Sequence, residues 1–135
     1  MLKKIFLLSL VLSIFACNHD TSSQYRDLIT GRWQLINFST NQKIPKDYNY
    51  KRTIKQMILT TSIDFYKDGR CKSYIWGSKL TGYWKVKDDN LIVFDKTKKE
   101  KFTAKIVKLN ANQLILYSQD DSVKILLYFR KDLLN

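Results

Sequence analysis

Turn-forming residues recur at short, even intervals through this chain: Lys67-Asp68-Gly69, Lys87-Asp88-Asp89-Asn90, Asn110-Ala111-Asn112 and Gln119-Asp120-Asp121-Ser122. Asp and Asn hydrogen-bond to nearby backbone and tolerate left-handed angles, and Gly adopts them freely, so each cluster ends one extended run and begins another. Between and around them lie runs rich in β-branched and aromatic residues, at 31–38, 54–60, 62–66, 70–76, 80–87, 91–95, 101–109, 114–118 and 123–130. These make nine strands, or eight if 54–66 is one long or bent strand. Gly82, Trp84 and Val86 alternate with Tyr83, Lys85 and Lys87, and Phe102, Ala104 and Ile106 with Lys101, Thr103 and Lys105. A period of two gives each strand one dry face and one wet face. The run 123–129 is apolar almost throughout apart from Lys124, as suits a central or barrel-closing strand. A meander of short antiparallel strands sheds its sticky edges by closing on itself. The expected fold is therefore all-β, a small up-and-down antiparallel barrel of about eight strands. The reading contains little helix beyond a turn at 24–29. Residues 39–51, with the only proline, Pro45, beside Tyr48 and Tyr50, read as a long loop where such a barrel would open.

The N-terminus carries a different signal. Lys3 and Lys4 precede an apolar run from Ile5 to Ala16 that ends at Cys17. That run is about half the ~20 residues a spanning helix needs, and its basic start and small residue before the cysteine fit a removable export signal. Ile14-Phe15-Ala16-Cys17 resembles the bacterial lipoprotein box, with Phe15 where a small residue is usual. The resemblance implies a signal peptide over 1–16, acyl chains such as palmitate on Cys17, a lipidated tether over 17–24 and a barrel domain over 25–135. Asn18 is not the aspartate that retains some lipoproteins at the inner membrane, so the expected address is the outer membrane, periplasmic or surface-facing.

The formal net charge is +12, of which Lys3 and Lys4 leave with the signal. A balance this basic implies attraction to anionic surfaces or partners, or lysines that serve solubility and blunt strand edges. Basic residues cluster at Lys43–Arg52, among aromatics, and again at Lys96, Lys98, Lys99 and Lys101. Outside the cytoplasm, nucleic acid is not an expected partner.

With Cys17 taken by lipid, Cys71 has no partner within the chain and reads as a small buried apolar side chain; a reactive thiol favoured by Arg70 and Lys72 is the alternative. His19 is the single histidine, so neither a histidine-based triad nor a multi-histidine metal site can be assembled. Most Asp residues sit in turn signals, and there is no Gly-rich phosphate loop or Cys-x-x-Cys pair. No catalytic site, metal or cofactor other than the covalent lipid is expected.

Leu28-Ile29-Thr30-Gly31-Arg32-Trp33-Gln34-Leu35 resembles the opening of lipocalin-like domains, whose Gly-x-Trp element starts the first strand. Ile63–Gly69, Gly82-Tyr83-Trp84-Lys85-Val86, Asn90-Leu91-Ile92-Val93, 106–116 and Tyr128-Phe129-Arg130 resemble, in order and spacing, the lipocalin-like lipoproteins of Bacteroidota. The resemblance covers roughly residues 28–131. It implies an eight-stranded barrel with a floor of Gly31 and Trp33 and an Arg130 guanidinium over the Trp33 ring. An interior of this size is either filled by side chains or holds one small ligand.

Two functions follow as expectations. One is a non-enzymatic, membrane-tethered binding module for a small hydrophobic or amphipathic ligand; the other is an accessory lipoprotein subunit or inhibitor gripping another cell-envelope protein through the barrel exterior. Tyr48, Tyr50, Phe65, Trp76 and Trp84 are the candidate ligand or partner contacts.

Overall fold

The computed structural model describes residues 21–75 and 77–132. Residues 1–16, read above as an export signal, Cys17, read as the acylation site, and Trp76 lie outside the described residues.

Helix α1 (Thr21–Ile29) leads into β1 (Gly31–Thr40), helix α2 (Tyr48–Leu59) and then β2 (Ser62–Phe65), β3 (Arg70–Ile75), β4 (Ser78–Lys87), β5 (Asn90–Asp95), β6 (Glu100–Leu109), β7 (Gln113–Asp120) and β8 (Val123–Lys131). The described strands pair antiparallel in sequence order, and β8 returns to β1, closing an eight-stranded up-and-down barrel. The turns use the chemistry expected of them. Asp88 and Asp89 both have positive φ, as the tightest hairpin turn requires, and Asn110 Oδ1 accepts from the backbone N–H of Asn112 and Gln113.

One end of the barrel is plugged. Trp33, Phe65, Leu91, Leu114 and Leu116 are buried almost completely, and Trp84 meets Phe65 edge to face at 5.3 Å between centroids. Helix α1 tucks under this end: Ile29 is fully buried, its carbonyl accepts from Trp33 Nε1 at 2.7 Å, and Tyr25 Oη donates to Asp89 at 2.5 Å. Helix α1 thus takes in residues 21–24, which the sequence reading assigns to the tether.

Three bulges interrupt the period of two. In β1 the register slips between Leu35 and Asn37, leaving Ile36 unpaired and exposed and restoring the inward face at Phe38, opposite Leu127. In β6 the extra residues are Lys101, between the Val93–Phe102 and Phe94–Glu100 pairs, and the exposed Val107.

Residues 54–60 are not a strand, and residues 39–51 are not one long loop. Strand β1 extends to Thr40, and α2 begins at Tyr48, where the Asp47 carboxylate accepts from Tyr50 N–H at 2.7 Å as an N-cap. Within α2 the half-buried residues are Ile54, Met57 and Ile58, spaced three and four apart as one helical face demands. Gln34 Nε2 fixes the far end of the helix to β1 by donating to the carbonyls of Ile58 and Thr61 at 2.9 and 3.0 Å.

Candidate functional site

The strand directions put the β1–β2 connection with α2, the β3–β4 turn, the β5–β6 turn and the β7–β8 turn at the end opposite Trp33. Here the barrel is open. A cavity of about 190 Å³ lies inside the mouth. Its lower wall is Ile63, Val93 and Phe129; Ile75, Leu80, Phe102 and Leu127 rise to the rim, and Thr61, Ser73 and Lys101 supply its polar atoms. Ligand sites of this kind are mostly apolar with a few placed polar groups, and this volume holds on the order of six water-sized heavy atoms. A larger open groove runs along α2 past Gln56, Met57 and Leu59, but among the described residues one helix alone lines it, so nothing converges on a bound molecule there.

The inward parity of each strand selects the cavity residues. Cys71, Ser73 and Ile75 share the inner face of β3, and Leu80 precedes Gly82 and Trp84 on that of β4. Lys101 reaches the cavity by another route. The bulge leaves it without a cross-strand partner and turns it toward the same side as Phe102. Its Nζ stands 3.8 Å from Asp95 Oδ2, with the lysine side chain 43% exposed. Asp95 is occupied elsewhere: Oδ1 accepts from Thr97 Oγ1, Thr97 N–H and Lys99 N–H. The Thr97 hydroxyl, followed by the other turn donors, holds the Asp95 carboxyl below the usual carboxylate range.

The sequence-derived contacts fall elsewhere. Phe65 and Trp84 belong to the packed plug, and the Trp84 indole donates to the Tyr66 carbonyl at 2.9 Å. Tyr48 and Tyr50 ride on α2 near the mouth, 76% and 41% exposed, and neither lines the cavity.

The floor is built around Gly31 and Trp33, but the cation over the ring is not Arg130. In the β1–β8 register Trp33 faces Lys131, whereas Arg130 faces Gln34 and points outward, exposed. Lys131 Nζ therefore lies 5.2 Å from the Trp33 ring centroid and donates to the Leu28 carbonyl at 3.1 Å. Burial lowers its pKa from the ordinary lysine value. Gly31 has φ +128°, which glycine adopts without strain; a Cβ there would meet Lys131 Cε at 2.8 Å, the end of a flexible side chain that can yield, so the requirement is on the backbone.

Cys71 is buried, and burial pushes its thiol up to about 11. The flanking Arg70 and Lys72 do not make it reactive, because their strand alternation sends them to the outer face. Peptide-mapped alkylation of Cys71 at pH 8 is expected to run about 100-fold slower in the native protein than in urea, from the shortage of thiolate alone. Equal rates would mean that β3 opens freely.

The two basic clusters converge. Five basic side chains between residues 43 and 55 lie in the β1–β2 connection, and Lys96, Lys98 and Lys99 in the β5–β6 turn, so both surround the mouth. At the plugged end, α1 and the turns hold Asp27, Asp68, Asp88 and Asp89 against Arg26 and Lys67.

No family model and no curated protein matches the chain. Among solved structures it is similar to a DUF4847 family protein from Bacteroides vulgatus, at 17% identity over 80% of this chain and 96% of that one, with a TM-score of 0.54. An uncharacterized protein from Bacteroides eggerthii is similar at 20% identity over 76% and 98%, with a TM-score of 0.51. A lipocalin-like protein from Bacteroides uniformis aligns at 18% identity over 78% and 99%, with a TM-score of 0.49. The barrel is lipocalin-like in fold. That statement rests on the closed sequential pairing of eight described strands, the arrangement of small up-and-down barrels. At these identities the likeness concerns architecture alone.

Proposed function

We propose that this protein is a non-enzymatic binding module that takes a small hydrophobic or amphipathic molecule into the mouth of its barrel. We further propose that it works at the bacterial outer membrane, held there by acyl chains on Cys17. The observation that supports ligand binding is the apolar cavity of about 190 Å³ above a sealed floor. A barrel this narrow can fill itself with side chains, and its lower half does; the upper half keeps a hollow that reaches the rim.

The exterior gives less support to the alternative of an envelope-protein partner. On the strands, the exposed large apolar side chains are Ile36 on β1, Ile75 on β3, Tyr83 on β4 and Val107 on β6. Strands β3 and β4 are neighbours, but Ile75 stands at the cavity rim opposite Ser78, and Tyr83 at the far end of the pair opposite Arg70. Scattered single residues of this kind are normal on a soluble surface.

Leu127→Trp tests the binding reading. The larger side chain should occupy the cavity and weaken displacement of a fluorescent apolar probe by more than about tenfold, while costing at most about 1–3 kcal/mol of stability. Undiminished probe binding by a folded Leu127→Trp variant would remove the cavity as the site. For the anchor, intact mass and membrane fractionation of wild type and Cys17→Ser should differ by the acyl chains and by membrane retention. An unchanged mass and distribution would reject it.

A further inference from the structure

We propose that the ligand of the mouth cavity carries an anionic head group, and that Lys101 is the residue that receives it. This rests on the binding reading above and narrows it to a class: small single-chain amphiphiles ending in a carboxylate or a similar anion.

The cavity walls are apolar on nearly every strand, yet a lysine lines the rim. Lys101 is there because of a backbone irregularity. The bulge between Val93 and Phe94 leaves it unpaired across the ladder, and without that slip the alternation of β6 would send it outward with Thr103 and Lys105. Bulges re-aim side chains at barrel rims and binding sites, and this one brings an ammonium group onto the edge of an apolar hollow. Its ion pair is with Asp95, at 3.8 Å, too far for a hydrogen bond, while the adjacent Glu100 accepts from the Thr103 hydroxyl. Asp95 spends its other oxygen on the turn, accepting from Thr97 and Lys99. The Lys101 donors thus remain available to an incoming oxyanion.

Two further features agree. Buried Ser73 places a hydroxyl in the same cavity wall. The eight basic side chains of the α2 connection and the β5–β6 turn outnumber Asp47, Asp95, Glu100, Asp120 and Asp121 at the same end, and a mouth with a basic excess concentrates anionic ligands at its opening. The volume admits about six carbons of a single alkyl chain, with the remaining carbons and the head group at the open rim, and not the two tails of a membrane lipid.

Octanoate and 1-octanol share a chain and differ in the head, so their binding to the full-length protein separates the inference from the reading beneath it. Calorimetry at low salt should find octanoate about fivefold tighter than octanol, as one half-exposed ion pair predicts, with the difference shrinking at high salt. Lys101→Met keeps length and apolarity and should equalise the two ligands, its unchanged octanol affinity confirming an intact cavity. Asp95→Asn keeps the turn's acceptor but removes the competing charge, and should tighten octanoate about twofold.

If octanol binds as well as octanoate to the wild type, the anionic head group is wrong and the apolar cavity stands. Octanoate preference surviving in folded Lys101→Met would reject Lys101 as the receptor. If neither ligand binds, the binding reading itself falls. Should Lys101→Met fail to fold, the Asp95→Asn arm decides: no gain for octanoate overturns the assignment.

Discussion

Replacing Gly82 by alanine is expected to break the barrel wall between β4 and β5. A Cβ at this position would lie 1.8 Å from the Phe94 carbonyl oxygen and 2.9 Å from its carbon. Those atoms are backbone, held in the ladder by the Gly82–Asp95 and Tyr83–Phe94 pairs, so no rotamer change relieves the overlap. The strands must part or the register must slip. Overpacking against side chains costs about 1–3 kcal/mol, and a backbone wall that cannot yield places this substitution at or above the top of that range. For a domain of this size the thermal midpoint should fall by on the order of 10 °C. Urea unfolding monitored by tryptophan fluorescence gives the comparison, and a loss below about 1 kcal/mol would show that the two strands separate more readily than this contact allows.

The second large effect is expected at the floor. Trp33→Ala removes a fully buried ring, the indole hydrogen bond to the Ile29 carbonyl and the surface against which Lys131 lies. Large-to-small changes of this kind cost about 3–5 kcal/mol, a large share of the ~5–15 kcal/mol that holds a domain together. Trp33→Phe separates the contributions, since it keeps most of the ring and loses the hydrogen bond, and should cost about 1–2 kcal/mol. If both substitutions proved equally mild, the plug would not depend on Trp33. Because the mouth cavity is walled from the plug by Ile63, Val93 and Phe129, a folded Trp33→Phe variant should retain ligand binding.

The strands and turns could be read from the sequence because each rests on local chemistry: alternation along the strand, and Asp, Asn or Gly where the backbone turns left-handed. Gly31 and Trp33 were legible through the resemblance of their segment to the opening of lipocalin-like domains. Helix α2 escaped because Ile54, Ile58 and their neighbours form a short apolar run whose β-branched residues suit strands as well as helices. The distinguishing signals were the spacing of Ile54, Met57 and Ile58 and the Asp47 cap two residues past Pro45. Arg130 came from the resemblance, which carries no register for this chain; a shift of one residue takes a side chain to the opposite face, and Lys131 holds the position over Trp33. Lys101 was noted as part of a surface charge cluster, since strict alternation puts it outside. A bulge has no clear mark in a single sequence, so the residue it redirects was hidden for the same reason. The cavity was hidden more deeply, because a hollow is what remains after every neighbouring side chain has been placed.

The position of α1 bears on how the barrel can be held. The chain enters the described fold beneath Trp33, at the stoppered base, with Tyr25 and Ile29 fastening the helix there. An attachment ahead of Thr21 would grasp the molecule by its foot, leaving the opening directed away from the anchoring surface and free to meet cargo arriving from the far side.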